Sequence, residues 1–422
     1  MTRKIVTFGP GPRFKGGIAN YNTSLARAFD KLDNTEVHIV SWTQQYPAII
    51  PRDFIDRKSR KDQLEGTNIR VHYVTNYNSP PTWRKTYHLI KEIDPEMVIF
   101  QWSIAIQGLP LGRIAKWLKK TGIEVIMDLH FVIQKEGSSI DNYFTRLGIS
   151  HADTYIVHSL KTCNELKELF PRKNLVMGDR ERPPLNEGET GVIKLYHPVY
   201  DMFKPDPEFD IEKQKKELGL NKYVFLFFGF IRKYKGLHNV IKAFAKVAKE
   251  RDDVSLLIVG EAFWQTLDTK KFSTKLKQGL FGIAKSVFLR KQDDEREYRP
   301  LELIDQLDIK DKVVPLIEFV PNEDVHRYFQ VSDYIMLYYL TATPSGVESI
   351  AYNFRLPILA TRVGHFPETV KDCYNGYLAE PENIESMASA IRMAIEEPID
   401  RNNVAETSAD MSWENYARAI IG

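Results

Sequence analysis

The chain has 422 residues, 43% hydrophobic and 27% charged, with a formal net charge of +2. That length exceeds one ordinary core and points to two domains, while the composition excludes disorder and fibrous structure. The nearly balanced charge removes the global field of a nucleic-acid binder, so no nucleic-acid partner is expected. Two cysteines, Cys163 and Cys373, stand far apart, which excludes a disulfide framework and suits a reducing compartment. The opening segment from Met1 to Phe8 lacks the apolar core of a signal peptide. No apolar run approaches the roughly 18 residues of a membrane span. The expected location is cytoplasmic, with any membrane contact peripheral, at the inner face of the plasma membrane.

In chain order, strands are expected at Ile5–Phe8, Glu36–Ser41, Ile69–Val74, Met97–Gln101, Glu124–Asp128 and Thr154–His158. Between them Ile18, Tyr21, Leu25 and Phe29 recur at helical spacing, as do Trp83, Tyr87, Ile90 and Ile93. A turn-rich stretch from Asp179 to Gly191 and a proline-bearing connector from His197 to Pro205 then interrupt the pattern. The second series has strands at Tyr223–Phe228, Val254–Val259, Val313–Pro315, Asp333–Tyr339, Pro357–Thr361 and Gly376–Ala379. A helical stripe of Leu237, Val240, Ile241, Phe244 and Val247 follows its first strand. Alternating strands and helices imply an α/β chain of two doubly wound Rossmann-like domains facing a central cleft, divided as 1–198 and 199–422. The last helix is a candidate to pack back toward the N-terminal domain.

Three loops carry candidate chemistry. The first, Gly9 to Asn20, contains Gly16 and Gly17 and enters a helix, where backbone N–H groups and the helix dipole favour an anion. A turn made only for strand-to-helix geometry gives the same pattern. It is neither a Walker loop nor a dinucleotide fingerprint. The second loop, Phe227-Phe228-Gly229-Phe230-Ile231-Arg232-Lys233-Tyr234-Lys235-Gly236-Leu237, places three cations between a buried strand and a helix, which suits a diphosphate or a solvated basic turn. In the third, Ser345-Gly346-Val347-Glu348 opens a helix whose free N–H groups form another anion cradle. The following strand leads to a turn bearing Glu368, a candidate ligand contact or a simple helix cap.

These loops, with Phe-Val-Pro-Asn-Glu-Asp-Val from Phe319, Pro-Ile-Leu-Ala-Thr-Arg-Val-Gly-His-Phe-Pro-Glu from Pro357 and Asn-Gly-Tyr-Leu from Asn375, resemble the retaining glycosyltransferases of the GT-B fold, in particular glycosyltransferase family 4. Lys15-Gly16-Gly17-Ile18-Ala19-Asn20-Tyr21 fits the same family, so the likeness runs through nearly the whole chain. The resemblance implies a nucleotide-diphosphate sugar held by the C-terminal domain and transferred with retention of anomeric configuration. The acceptor it implies is a glycan or a lipid-linked molecule, in cell-surface polysaccharide or glycoconjugate assembly. It implies catalytic roles for Lys235, Arg232 and His130, the last at the end of the strand closing with Asp128-Leu129-His130. Donor contacts are implied for Phe319, Val320, Ser345, Gly346, Val347, Glu348 and Glu368, and an acceptor or phosphate role for Gly16 and Gly17.

The chain departs from this family at Phe230, where an arginine is usual, and at Thr343 and Ile350, where counting back from Pro357 leads to the two positions often held by glutamate. These departures keep open a catalytically silent donor-binding subunit, beside a sugar-nucleotide epimerase of the same fold. No cofactor and no metal are expected, since no convincing ligand spacing appears and the family neutralises the leaving diphosphate with protein cations. From Lys270 to Lys291, basic residues surround the apolar series Phe272, Leu276, Leu280, Ile283 and Val287, which suits a membrane-surface helix or a helix packed on its own domain.

Overall fold

The computed structural model describes residues 2–47, 54–57, 59, 62–132, 139–261, 298–344 and 346–422. They form two compact units, the first ending at Tyr196 but including Ser412–Gly422, the second containing the described residues from His197 to Met411. The expected division lay at 198/199, and the C-terminal helix, Trp413–Ile421, is a member of the first unit.

In the first unit, β1 (Arg3–Phe8), β2 (Thr35–Gln44), β3 (Arg70–Asn76), β4 (Met97–Trp102), β5 (Glu124–Leu129), β6 (Thr154–Val157), β7 (Asn174–Asp179) and β8 (Glu189–Lys194) make one parallel sheet in the order 3-2-1-4-5-6-8-7. Parallel neighbours require crossovers, and α1 (Gly17–Asp30), α2 (Pro80–Ile93), α3 (Gly108–Leu118), α4 (Ser139–Ile149) and α5 (Leu160–Leu169) lie between the strands. The central strand β4 is buried at every residue, which explains its continuous apolar run in place of alternation. Helix α1 buries Tyr21, Leu25 and Phe29 of the expected stripe, while Ile18 is only partly buried. Helices α3 and α4 touch backbone to backbone: a Cβ on Gly108 or Gly112 would lie 2.1 Å from the carbonyl oxygen of Phe144 or Leu147. The C-terminal helix packs on α1.

Strands β7 and β8 lie partly in the stretch read as turn-rich. Pro183, Pro184, Gly188 and Gly191 produce that impression, and β7 is a half-exposed sheet edge with no apolar run to reveal it.

In the second unit, β9 (Tyr223–Phe228), β10 (Val254–Val259), β11 (Val313–Leu316), β12 (Tyr334–Leu337), β13 (Ile358–Thr361) and β14 (Gly376–Ala379) form a parallel sheet ordered β11-β10-β9-β12-β13-β14. Its helices are α6 (Ile211–Leu218), α7 (Leu237–Ala248), α8 (Glu302–Gln306), α9 (Val325–Gln330), α10 (Gly346–Asn353), α11 (Phe366–Thr369), α12 (Ile384–Glu396) and α13 (Arg401–Ala409). The expected stripe of α7, Leu237, Val240, Ile241, Phe244 and Val247, is fully buried in the core. Each such side chain contributes about 1.5–3 kcal/mol of transfer free energy. Among the described residues, no helix is long and apolar enough to cross a membrane.

Both sheets reverse strand order beside their first strand, between β1 and β4 in one unit and between β9 and β12 in the other. At such a reversal the flanking crossovers run to opposite faces, leaving a crevice at the carboxyl ends of the strands where doubly wound folds bind ligands.

Candidate functional site

At the reversal in the second unit, β9 is followed by Gly229, whose φ of +97° suits glycine. The chain then makes a 3-10 turn, Lys233–Lys235, and enters α7 through Gly236 at φ +66°. A Cβ on Gly236 would lie 1.9 Å from the carbonyl oxygen of Tyr338 after β12, so the loop is pressed against the neighbouring strand end. This geometry turns Lys235 inward to 8% exposure. A Cβ on Gly229 would sit 2.9 Å from Lys235 Nζ and 3.5 Å from Val347 Cγ2. Lys235 of the second loop and Val347 of the third thus meet beside Gly229.

No carboxylate pairs with Lys235 among the described residues; its ammonium lies 5.8 Å from the centre of the Tyr339 ring. Burial, reinforced by the positive charge of Arg232, lowers its pKa to about 8. Facing it is the start of α10, whose first-turn N–H groups at Gly346, Val347 and Glu348 have no intrahelical acceptors. Cation and amide dipoles together suit an anion.

The Glu348 side chain has another occupation. It is 4% exposed, with one carboxylate oxygen bonded to His365 Nε2 and the other accepting from Thr369 Oγ1. Its carboxylate therefore braces α10 against α11. The connector braces α10 as well: Ser349 Oγ donates to Pro198 O, Asn353 Nδ2 to Phe203 O, and Tyr200 packs under Gly346. Thr343 is exposed and Ile350 is buried in the core.

The remaining expected donor residues occupy the same end of the sheet. Phe319 and Val320, both partly buried, follow β11, and Glu368 lies partly buried in α11. Arg232, partly buried, precedes the 3-10 turn close enough to Lys235 to lower its pKa. Ser345 and the segment Lys270 to Lys291 lie outside the described residues.

In the first unit, Gly16 caps α1 at φ +104°, and a Cβ on Gly16 or Gly17 would meet no atom within 4 Å. Their surroundings are open, unlike those of Gly9, where a Cβ would lie 2.8 Å from Gln101 Cγ. His130 follows β5 and is partly buried, with Nε2 2.8 Å from Gln101 Oε1. Its ring meets Tyr21 edge-on at 4.7 Å and stacks on His158 at 5.5 Å between centroids.

Beneath it lies a network that sequence reasoning missed. His158 Nε2 is 2.7 Å from Asp128 Oδ1 and His158 Nδ1 is 3.1 Å from Leu195 O. Both partners accept, so both ring nitrogens donate and the ring is an imidazolium paired with a carboxylate. Tyr21 donates to Asp128 Oδ2 at 2.9 Å, and its hydroxyl shares a hydrogen bond with that of Tyr416 of the C-terminal helix. Burial works to raise the Asp128 pKa, but the His158 charge and hydrogen bond, with help from His130 and Tyr21, bring it below the ordinary carboxylate value. Burial lowers the pKa of His130 to about 4, Asp128 pulling upward and His158 pushing further down. Asp128, His130 and His158 bring potential metal-binding atoms within 4.8 Å of one another. The hydrogen bonds just described engage all three side chains. The signal available in sequence was the pair of strand-end motifs Asp128-Leu129-His130 and Val157-His158, which adjacent parallel strands carry side by side.

Residues 208–411 match the model for glycosyl transferases group 1. The chain is 25% identical over 321 residues to N-acetyl-alpha-D-glucosaminyl L-malate synthase of Bacillus anthracis, covering 74% of this chain and 69% of that protein. It is 24% identical over 267 residues to D-inositol 3-phosphate glycosyltransferase of Corynebacterium urealyticum, spanning 58% of this chain and about half, 55%, of that relative. In fold it is similar to Anabaena HepE in complex with UDP-glucose, at TM-score 0.65 and 16% identity over 99% of each chain. The region 208–411 is thus similar to the glycosyl transferases group 1 domain, within a two-domain α/β chain whose fold is GT-B.

Proposed function

We propose that this chain is a retaining, metal-independent glycosyltransferase that moves a sugar from a nucleotide-diphosphate sugar to a glycan or lipid-linked acceptor in cell-surface glycoconjugate assembly. The observation that carries this reading is Lys235, a buried ammonium without a carboxylate partner among the described residues, beside Gly229 and the open N–H groups of α10. A diphosphate supplies the charge that the protein leaves unmatched. In the proposed step the bond from the anomeric carbon to the diphosphate oxygen breaks while the bond to the acceptor oxygen forms on the same face. The acceptor proton passes to the departing phosphate oxygen. Lys235, Arg232 and the amides of Gly346, Val347 and Glu348 stabilise the charge growing on the leaving group. Phe319 and Val320 meet the nucleobase, and Glu368 and Ser345 belong to the same donor set. His130 offers a hydrogen bond to a sugar hydroxyl, and Gly16 and Gly17 serve the acceptor or a phosphate.

A thermal-shift screen of UDP, GDP and ADP and their glucose conjugates tests the donor site. At least one should stabilise the wild type, and Lys235→Met should weaken that nucleotide about 100-fold, as expected for losing a charge-assisted contact of roughly 3 kcal/mol. Failure of every nucleoside diphosphate and sugar conjugate to stabilise the wild type would sink the reading. A second reading, donor binding without transfer, draws on the exposed Thr343 and apolar, buried Ile350 where the resembling family often has carboxylates. Slow hydrolysis of the bound donor favours the enzyme, and binding without turnover across a broad acceptor screen favours the silent subunit.

A further inference from the structure

The network under His130 is costly to build, because an ion pair removed from water recovers its desolvation only through good geometry and further hydrogen bonds. Here the geometry is complete: Tyr416 and Tyr21 share a hydrogen bond, Tyr21 donates to Asp128, and His158 donates to both Asp128 and Leu195 O. Its upper surface is the His130 ring, stacked on the His158 cation. The titratable groups facing His130 among the described residues are Asp128, His158 and Tyr21, with Tyr416 behind Tyr21. A cation stacked on an imidazole opposes a second cation there. On the other side, Gln101 Oε1 accepts from Nε2, which fixes the proton on that nitrogen. Gln101 is held in place in turn, since β4 is buried and Gly9 lies so close that a Cβ there would touch Gln101 Cβ and Cγ. His130 Nδ1 makes no hydrogen bond to the described residues, so its lone pair remains on offer.

We propose that Gln101 and the Asp128–His158 pair are positioning residues for His130, holding its imidazole neutral with the proton on Nε2 so that Nδ1 serves only as a hydrogen-bond acceptor. Its ligand is then a hydroxyl or ammonium donor and not a phosphate or carboxylate. This deepens, and rests on, the reading of His130 as a sugar-facing group. The depressed pKa of His130 agrees with the neutral ring. Restoring the other tautomer costs the bond to Gln101, about tenfold in population for a bond worth about 1.4 kcal/mol.

Full-length protein labelled with 15N in its histidine rings tests this directly. At pH 7, long-range 1H–15N correlations should show His130 with a protonated Nε2 and an unprotonated Nδ1, and His158 with both nitrogens protonated. The His130 signals are identified by their loss in His130→Gln. Gln101→Met should bring the two His130 tautomers to within about threefold of each other, with kcat lowered about tenfold and donor KM within about twofold. Gln101→Glu retains the acceptor but adds charge, so it should keep the Nε2 proton and make the ring cationic at pH 6. A wild-type His130 protonated on Nδ1, or cationic at pH 7, overturns the proposal, as does a Gln101→Met ring that stays in one tautomer. The expected tautomer with full transfer by His130→Ala would instead refute the sugar-facing role while leaving the positioning intact.

Discussion

The two strand-order reversals share a topology and differ in how their charge is finished. In the first unit the polar groups below His130 are closed on one another, with Asp128 matched by His158 and Tyr21. In the second, Lys235 is turned inward with no carboxylate to meet it among the described residues. A closed network lowers the energy of the folded protein and holds a ring in one state. An open cation raises that energy and keeps affinity in reserve for an anion. Topology thus locates two candidate sites, and only the side-chain accounting separates the one shaped for orientation from the one shaped for charge.

The sharpest way to break this contrast is Asp128→Asn. It leaves the His158 imidazolium buried without its counterion, and urea unfolding at pH 7 should show a loss of about 3–5 kcal/mol. Because the folded Asp128 pKa is depressed, its contribution is complete above the ordinary carboxylate range and fades as pH falls through the lower folded value. The wild-type-minus-variant difference should therefore shrink in acid; a difference independent of pH would remove the ion pair from the account.

Lys235→Met should act with the opposite sign, raising stability by about 1–3 kcal/mol at pH 7 while weakening the donor. The folded lysine has a pKa near 8, below its unfolded value, so the cost of burying it is full below pH 8 and is relieved as pH rises from 8 toward the unfolded value. The advantage of the variant should accordingly vanish in alkali. Calorimetry in buffers of different ionisation enthalpy should also detect proton uptake on donor binding to the wild type just above pH 8. Absence of both effects would mean that Lys235 is not the unmatched charge. The smallest effect is expected from Tyr416→Phe, which removes one hydrogen bond from the far end of the network and should cost about 1 kcal/mol. A cost equal to that of Asp128→Asn would show that the network fails as a single unit.

Much of this architecture is written in local sequence. Runs such as Tyr223–Phe228 and the stripe Leu237, Val240, Ile241, Phe244 and Val247 announce strand and helix because burial on a sheet and on a helix have different periods. Lys235 was visible because a glycine-bounded basic loop after a buried strand is itself a local pattern. The partners of Asp128 were not, since His158 comes from the adjacent strand and Tyr416 from a helix 395 positions beyond Tyr21. Tyr21 fits the apolar stripe of α1, and spacing reports its buried ring without reporting where its hydroxyl points. Glu348 shows the same limit: its place at a helix start suggests a ligand contact, whereas His365 and Thr369 engage its carboxylate inside the fold. Strand β7 escaped because an edge strand rich in turn residues buries too little to leave a period, and the interior strand β8 escaped because it begins inside the turn-rich stretch.

The membership of the C-terminal helix in the first unit sets an order of events during synthesis. Residues 1–196 leave the ribosome long before Trp413–Ile421, so the unit translated first is completed last. Until then Tyr21 and the Asp128–His158 pair lack the cover of Tyr416, and the second unit has time to form its sheet. Joining residues so distant in sequence is slow in folding. A nascent chain arrested before Trp413 should accordingly present the first unit as its more protease-sensitive part, although that unit has had the longer time to fold.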